Sequence, residues 1–317
     1  MSQRSNSDKK YCIAFYNLEN LFDTVDDAFT NDNDFLPNSA KRWTNKRFDR
    51  KVYKLGLAIS KLGKDTVGAL PAIVGLAEVE NKEVINALIN SEYLEHVNYS
   101  IEHYDSSDER GIDVGLIYNE DVFTVTSSKT YTVYLKDDDG ERDYTRDILL
   151  VSGKMEEEEV HFIVNHWPSR RDGEVLTNSK RVTAAKHVSD IIAELRQDHD
   201  DPQIIVMGDF NDNPDNDSLK HLVNNDGLFN PMETIWSPEK GSQSYDFNWN
   251  MFDQILCSIN FLSSDNSKLR FFEADVYDEE YLTQFRGKYK GTPFRTYVGK
   301  KYKGGYSDHF PVYMILE

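Results

Sequence analysis

A short polar segment of the chain, residues 208–212 (Gly-Asp-Phe-Asn-Asp), directly follows the apolar run 204–207. Pro202 precedes this run and an Asn-Pro pair follows the segment, so we predict a buried strand that ends abruptly. Carboxylate and amide side chains at the carboxyl end of such a strand can hold a hard cation such as Mg²⁺ beside a phosphate. The alternative is a polar turn in which Asp and Asn bind their own backbone.

Asp209 and Asn211 are the residues of this segment with the most useful chemistry. In an extended chain, residues two apart point to the same side, so both side chains are predicted to face one phosphate. Asp209 can orient or deprotonate an attacking water, and the Asn211 amide can donate to a phosphate oxygen as its charge grows. Asp212 is predicted to point the other way and to serve only as a turn residue.

Similar polar clusters stand at the ends of other apolar runs along the chain. They contain Asn17 and Asn20 after 11–16, Glu78 after 72–77, His166 after 160–164, Asp253 in 252–257, and Asp308 and His309 before 311–316. Ligands of α/β proteins bind at strand ends, where loops carry side chains that the core does not need. We therefore expect these clusters to assemble one site.

The positioning elements are mostly strands, with a few clear helices between them. Short β-rich runs occur at 11–16, 72–77, 113–118, 160–164, 204–207, 252–257 and 311–316. Apolar residues recur at helical spacing from Phe48 to Leu62, after a Thr44 cap, and from Val182 to Leu195. So many strands between helices indicate an α/β protein with more than one sheet. The acidic run 156–159 is most simply a solvated hairpin turn.

Composition limits the functional classes. The chain has 317 residues, 39% of them apolar, and a formal net charge of −19. This acidity argues against a generic basic surface that coats nucleic acid, but an enzyme can approach a polyanion through bound cations and local arginines. Cys12 and Cys257 each lie in a predicted strand, so we expect buried thiols, which leave the redox compartment open.

The domain organisation follows from the same inspection. Residues 1–10 are polar and are predicted to be a disordered tail, and residues 11–317 a single domain, since no linker or repeat divides them. The chain shows no membrane span or export signal, so as written we expect a cytoplasmic protein. A secreted or periplasmic protein whose export signal had been removed would look the same.

Six segments, taken in order, resemble the motifs of the endonuclease/exonuclease/phosphatase superfamily, which includes proteins similar to deoxyribonuclease I and exonuclease III. They are 15–20 (Phe-Tyr-Asn-Leu-Glu-Asn), 75–80 (Gly-Leu-Ala-Glu-Val-Glu), 165–168 (Asn-His-Trp-Pro), 208–211 (Gly-Asp-Phe-Asn), 252–256 (Phe-Asp-Gln-Ile-Leu) and 307–312 (Ser-Asp-His-Phe-Pro-Val). The resemblance spans almost the whole chain. It implies a four-layered sandwich of two packed mixed β-sheets flanked by helices, and hydrolysis of a phosphoester that depends on Mg²⁺ or Mn²⁺.

The resemblance also implies roles for individual residues. Glu78 is the expected metal anchor, with Asn17 and Asp308 near the coordination sphere. The expected catalytic residues are His166, Asp209, Asn211, Asp253 and His309. A carboxylate hydrogen-bonded to an imidazole favours its protonated form, so the Asp253–His309 pair would supply either a general base or a cationic stabiliser. His166 would be an acid near the leaving group or a donor to the phosphate.

Basic residues give softer predictions. Arg110 and Arg170 are candidate phosphate ligands, although a salt bridge to Asp105, Asp108 or Glu109 is an equally good reading of Arg110. Arg181 lies on the predicted polar flank of a helix. Segment 289–306 interleaves Lys and Tyr and can track a nucleic acid, but a solvated loop whose tyrosines pack on the body is the favoured interpretation.

We predict a monomeric metal-dependent phosphodiesterase that acts on a phosphate-containing substrate, with nucleic acid favoured. Water is expected to attack in line without a covalent enzyme intermediate, because neither cysteine lies in a motif. A lipid or inositol phosphate is the alternative substrate. A non-catalytic binding module on the same fold is the alternative class, but such a module would be expected to have lost at least one of the motif residues.

Overall fold

The computed structural model describes residues 9–137, 139–171, 173–263 and 269–317. The strands are β1 (Tyr11–Leu21), β2 (Ile73–Val79), β3 (Tyr99–His103), β4 (Asp113–Asn119), β5 (Phe123–Tyr131), β6 (Leu135–Lys136), β7 (Arg142–Asp143), β8 (Ile148–Met155), β9 (Glu158–His166), β10 (Gln203–Asp209), β11 (Leu228–Phe229), β12 (Gln243–Tyr245), β13 (Asn248–Asn250), β14 (Asp253–Ser258), β15 (Phe271–Val276), β16 (Tyr297–Val298), β17 (Lys301–Tyr302) and β18 (Val312–Leu316). The helices are α1 (Asn45–Ile59), α2 (Lys64–Val67), α3 (Lys82–Ile89), α4 (Glu174–Asp198), α5 (Asp217–Asp226) and α6 (Met232–Ile235), with short 3₁₀ helices at Asn33–Phe35, Ile259–Leu262 and Glu280–Leu282.

Two six-stranded sheets carry the fold. The first has the order β15-β18-β1-β2-β4-β3, and the second has the order β11-β14-β10-β9-β8-β5. Each contains one parallel pair near its centre, β1 with β2 and β9 with β10, and the pairs around it are antiparallel. Since parallel strands end at the same edge, each sheet brings two carboxyl ends together.

The sheets pack face to face over a shared apolar core. Phe15 of the first sheet and Phe162, Ile205 and Met207 of the second are fully buried in it. Gly75 of β2 makes close approach possible, because a Cβ there would lie 2.5 Å from the Met207 Sδ. The edges of the two sheets are thereby held next to each other.

Helices cover the outer faces, as expected from their apolar spacing. Leu55 and Ile59 of α1 and Leu88 of α3 are buried against the first sheet, and Val188 and Ile192 of α4 against the second. The result is the predicted four-layered sandwich of two mixed sheets flanked by helices. No helix in the described ranges is long and apolar enough to cross a membrane.

All seven predicted β-rich runs lie in or overlap strands of the structure, and both predicted helices are present. Thr44 caps α1 by position, without a side-chain hydrogen bond. Residues 156–157 form the turn of the predicted hairpin, whereas 158–159 already belong to β9. Cys12 and Cys257 are buried free thiols. The predicted tail lies outside the described residues except for Lys9 and Lys10.

Candidate active site

The predicted site residues meet at one edge of the sandwich. Asn17 lies in β1, Glu78 in β2, and His166 and Asp209 are the last residues of β9 and β10. Asp253 opens the antiparallel strand β14 and pairs with Asp209, so its side chain comes to the same edge. Asp308 and His309 precede β18, which lies beside β1. The carboxyl ends of the two parallel pairs therefore place residues from the whole chain together.

Several residues at this edge have an irregular backbone that departs from the regular strand pairing. Glu19, Asn20, Glu78 and Asn211 have φ values of 51°, 56°, 61° and 50°, in the left-handed region. The register of β1 with β2 shifts between Asn17 and Leu21, so Glu78 leaves the regular pairing. Its Oε2 accepts a hydrogen bond of 2.8 Å from the Asn20 N–H. Such conformations are costly for non-glycine residues and concentrate at functional sites.

The Asp209 carboxylate is the centre of the arrangement. It is 2% exposed, and its Oδ2 accepts a hydrogen bond of 2.9 Å from the Asn17 amide. The Nε2 atoms of His166 and His309 lie 3.6 Å and 4.0 Å from the same oxygen. Burial raises the pKa of Asp209 to about 7, although the nearby His309 and the hydrogen bonds from Asn211 and Asn17 oppose the rise.

His309 forms a short, buried pair with Asp253. The Nδ1 of His309 lies 2.6 Å from the Asp253 Oδ2, and Asp253 is fully buried. Burial alone would lower the pKa of His309, but the carboxylates of Asp253 and Asp209 hold it well above its usual value. The expected His309–Asp253 pair is present. The Nε2 of His309 lies 4.0 Å from the Asp209 Oδ2 and 4.0 Å from the Asp308 Oδ1.

His166 differs from His309 in the direction of its pKa shift. Burial, and then the positive charge of Arg146, hold the pKa of His166 well below its usual value, so the ring is neutral. Arg146 donates from Nε to the His166 carbonyl at 3.1 Å and from Nη2 to the Trp167 carbonyl at 2.6 Å. A neutral imidazole suits hydrogen-bond donation to a phosphate better than acid catalysis.

Asn211 reaches the site differently from the expectation. The strand ends at Asp209, and Asn211 is left-handed, so the alternation that was expected to align the two side chains does not continue. The Asn211 N–H donates to the Asp209 Oδ1 at 3.0 Å, and its amide donates to the Trp167 carbonyl at 3.0 Å. The residue is 8% exposed, and its side chain braces the loop after β9.

Asp212 is more than a turn residue, and that prediction was wrong. It is fully buried and lies 2.7 Å from the Nε of Arg181, which is equally buried rather than on a polar helix flank. It also accepts hydrogen bonds from Arg170 at 2.8 Å and from the Ser218 hydroxyl at 2.6 Å. A buried carboxylate needs such partners, so Asp212 ties the loop after β10 to helix α4.

The proposed metal ligands form the open side of the site. The side chains of Glu78 and Asp308 are 16% and 24% exposed and line the same cavity, and two carboxylates are the hard donors that Mg²⁺ or Mn²⁺ takes. The donor set therefore fits such an ion. Asn17 lies behind them, because its amide nitrogen donates to Asp209 and its oxygen accepts from the Glu19 N–H at 2.9 Å.

A cavity of about 920 Å³ opens in front of Glu78 and Asp308. Both predicted phosphate ligands, Arg110 and Arg170, line it. Arg110 is 39% exposed and contacts Asp108 at 3.3 Å, in agreement with the salt-bridge reading. Arg170 is held by the Asn211 carbonyl, Asp212, Asn216 and Glu174, at 2.7–2.8 Å. Of the two, Arg110 has more freedom to meet a substrate.

The basic segment 289–306 packs on the body through its tyrosines, which supports the favoured interpretation. Tyr297 and Tyr306 are 7% and 9% exposed, and Tyr297 belongs to an aromatic cluster with Phe35 and Trp43. The segment also contacts the site, because Arg295 donates to the Asp308 carboxylate.

Three basic side chains near the site were not among the predicted site residues, although one of them, Arg295, lies in the basic segment 289–306. Arg146 and Arg295 are described above, and Lys51 is a buried residue of α1 that donates to the Glu19 carbonyl at 2.8 Å and to the Thr296 hydroxyl at 2.5 Å. None of them lies in one of the six motifs, and each meets its partners across a long stretch of chain. No local pattern in the sequence could have identified Arg146 and Lys51, whereas the Lys- and Tyr-rich composition of 289–306 marked the segment that contains Arg295.

Comparison with known proteins supports the resemblance. The model of the Endonuclease/Exonuclease/phosphatase family matches residues 12–317. The fold is similar to a humanized D. rerio TDP2, with 15% identity, a TM-score of 0.58, and coverage of 97% of this chain and 99% of that chain. It is similar to a mannosyl-6-phosphatase from Bacteroides thetaiotaomicron, with 18% identity, a TM-score of 0.59, and coverage of 97% and 99%.

A D. rerio TDP2 complexed with a single-strand DNA product is similar too, with 14% identity, a TM-score of 0.57, and coverage of 98% and 100%. No curated protein matches the sequence. At these identities the solved structures show the fold alone, whereas the family model covers nearly the entire chain. The chain belongs to the endonuclease/exonuclease/phosphatase family, whose members are hydrolases of phosphoester bonds.

Proposed function

We propose that this protein is a divalent-metal-dependent phosphodiester hydrolase that cleaves nucleic acid. The observation that carries the proposal is the Asp209 carboxylate, flanked by His166 and by the His309–Asp253 pair and set beside a cavity lined by Glu78 and Asp308. The arrangement combines a proton acceptor, two imidazole donors and hard metal ligands. These are the groups that in-line attack of water on a phosphoester needs.

In the proposed reaction, Asp209 orients the attacking water and accepts its proton as the new P–O bond forms. The P–O bond in line with the water breaks at the same time, and the leaving alcohol oxygen takes a proton from solvent. The Nε2 of His309, paired through Nδ1 with Asp253, donates to the phosphate oxygen on which negative charge grows. His166 donates a hydrogen bond to the phosphate from the other side of Asp209. Glu78 and Asp308 would hold Mg²⁺ or Mn²⁺, which supplies Lewis-acid polarisation of the phosphate when bound.

A covalent phosphoenzyme is not part of the proposal. Ser307 is the hydroxyl nearest to these residues in the sequence, and it is 1% exposed. Its Oγ donates to the Asn17 carbonyl at 2.7 Å and accepts from the His309 N–H at 3.1 Å, so it serves the backbone. Cys12 and Cys257 are buried inside strands, and burial raises the pKa of the Cys257 thiol to about 12.

The cavity wall supports a nucleic-acid substrate. Trp236, Tyr245 and Phe252 line it, and Tyr245 is 75% exposed at the end of β12. Aromatic side chains beside a catalytic site can stack on successive bases, and they tolerate any base because each presents a π-face. Arg110 on the same wall can meet the phosphate backbone.

The second candidate function is that of a phosphomonoesterase that acts on a polyhydroxylated substrate. The same cavity is lined by several side-chain amides, Asn213, Asn216, Gln243, Asn248 and Asn250. Amides both donate and accept, so such a wall can hydrogen-bond the hydroxyl groups of a sugar or an inositol.

A substrate panel tests the proposal. The purified protein is assayed with Mg²⁺, Mn²⁺ or EDTA on plasmid DNA, single-stranded DNA and RNA, abasic duplex, bis-p-nitrophenyl phosphate, sphingomyelin, inositol phosphates and sugar phosphates. We expect EDTA-sensitive cleavage of the nucleic acids and of the simple diester. Hydrolysis of sugar or inositol phosphates alone would establish the second candidate, and no turnover of any substrate would contradict both.

Two variants of one hairpin make the panel sharper. Tyr245→Ala should lower turnover of single-stranded oligonucleotides several-fold and affect bis-p-nitrophenyl phosphate cleavage much less, because only the oligonucleotide has a row of bases beyond the cleaved bond. Phe247→Ala is the matched control, since Phe247 is also exposed but stacks on Tyr289 outside this cavity. An equal loss of oligonucleotide turnover in the two variants would show that Tyr245 has no specific part in substrate recognition.

A further inference from the structure

A group of side chains that could hold a metal ion lies at the opposite end of β9 from the candidate active site. Glu159 and His161 belong to β9, two residues apart and therefore on the same face, and His199 follows the last residue of α4. One ligand atom from each residue lies within 4.8 Å of the others. His161 is five residues from His166, which corresponds to roughly 16 Å along a strand.

The chemistry of this group differs from that of the active site. Two imidazoles and one carboxylate are the ligand set of a borderline transition ion such as Zn²⁺, whereas Mg²⁺ prefers oxygen ligands alone. The His199 Nδ1 lies 3.3 Å from the Glu159 Oε2. Ligands at roughly 2.0–2.1 Å from a tetrahedral ion are separated by roughly 3.3 Å, so this pair already has the required spacing.

The surroundings of His161 favour metal binding. The residue is 1% exposed, and its Nδ1 lies 2.8 Å from the Ser152 hydroxyl on the neighbouring strand β8. With Nδ1 donating to Ser152, the lone pair of Nε2 is available to a metal, and a partner on the second ring nitrogen is typical of metal-binding histidines. The His161 and His199 ring centroids are 4.7 Å apart, so the two imidazoles are direct neighbours.

We propose that Glu159, His161 and His199 form a Zn²⁺ site that fastens the end of helix α4 to strand β9. The side chains of Glu159 and His199 are 40% and 34% exposed, so an ion can enter from solvent and keep water as a further ligand. His199 is already positioned by its own N–H, which donates to the Leu195 carbonyl at 2.9 Å. The ion would add a cross-link between two layers of the sandwich, independent of the reaction at the other edge.

Zinc titration of matched variants tests this site. The full-length protein is stripped with a chelator and titrated with Zn²⁺ in excess Mg²⁺, and the bound equivalents are measured by competition with a chromophoric chelator. Wild type should bind one equivalent more than His199→Ala. Glu159→Gln should bind the same ion at least tenfold more weakly, and Ser152→Ala about tenfold more weakly through the lost partner of His161.

His96→Ala is the matched control, because it removes another accessible imidazole, from the loop before β3. It should bind Zn²⁺ as wild type does. Saturating Zn²⁺ should raise the melting temperature of wild type and His96→Ala by several degrees more than that of His199→Ala. Circular dichroism of the zinc-free variants verifies that they are folded.

Equal zinc stoichiometry and equal thermal shifts in wild type, His199→Ala and Glu159→Gln would overturn the proposal. So would the loss of all bound Zn²⁺ on His309→Ala, since that would assign the ion to the active site. In either case His199 and Glu159 would form only an ion pair.

Discussion

The candidate active site has two halves, which differ in how firmly their side chains are held in the absence of a ligand. In the closed half, Asp209 and Asp253 are at most 2% exposed, and Asn17 and His309 bind them within 2.9 Å. In the open half, Glu78, Asp308 and Arg110 line the cavity with side chains that are 16%, 24% and 39% exposed. The groups proposed for proton transfer are thus fixed by the fold, whereas the groups proposed for metal and substrate binding face solvent.

The largest expected effect comes from breaking the closed half. Asp209→Asn or His309→Ala should lower turnover by about 100- to 10,000-fold, because each removes a positioned proton acceptor or donor. Steady-state rates on a confirmed substrate measure the loss, and circular dichroism verifies the fold. Added metal should not restore the rate. A rate near that of wild type would show that the residue takes no part in the chemistry.

A smaller and recoverable effect is expected in the open half. Glu78→Gln should raise the Mg²⁺ concentration needed for half-maximal activity at least tenfold, since one hard ligand loses its charge. Activity is measured over a range of Mg²⁺ concentrations, and high Mg²⁺ should restore much of it. Glu80→Gln is the control, because Glu80 accepts a hydrogen bond of 2.6 Å from the Asp23 N–H instead of lining the cavity. An identical metal dependence in both variants would argue against Glu78 as a ligand.

The smallest effects separate two arginines of the same cavity. Arg170→Ala should lower the melting temperature by several degrees, because it removes hydrogen bonds to Asp212 and Asn216 worth about 1–3 kcal/mol. Arg110→Ala should leave the melting temperature nearly unchanged and raise KM several-fold. Thermal denaturation and steady-state kinetics on both variants distinguish these outcomes. The reverse pattern would mean that Arg170, not Arg110, meets the substrate.

The sequence predicted the interior of the fold better than its margins. Strands such as β10 are continuous apolar runs because they are buried on both faces, and they were recognised for that reason. Strands β3, β5 and β15 lie at sheet edges and carry half-exposed polar residues, so no apolar run marked them. The inner strand β8 was also missed, although its apolar residues 148–151 are buried. An apolar run in the sequence indicates a strand that is buried on both faces. An edge strand is only partly buried and therefore carries no such run.

The site also divides into residues that the sequence could identify and contacts that it could not. Asp209, Glu78, His166 and His309 could be selected because they follow or precede apolar runs in motifs of a known family. The ion pair between Asp212 and Arg181 could not, since it joins a loop to a distant helix and leaves no local spacing. Nor could the left-handed backbone of Asn211, because the predicted end of the strand does not specify the backbone conformation of the residues that follow it.

The position of β18 has a consequence for biosynthesis. This strand lies between β15 and β1 in the first sheet, and the residues just before it supply Asp308 and His309. Asn17, near the other end of the chain, receives the Ser307 hydroxyl on its carbonyl. A ribosome-bound chain of which only residues 1–306 have emerged therefore lacks an inner strand of the first sheet and the imidazole of the His309–Asp253 pair. Under the proposed function, phosphoester hydrolysis requires His309, so we expect the growing polypeptide to be inactive until translation has passed this residue.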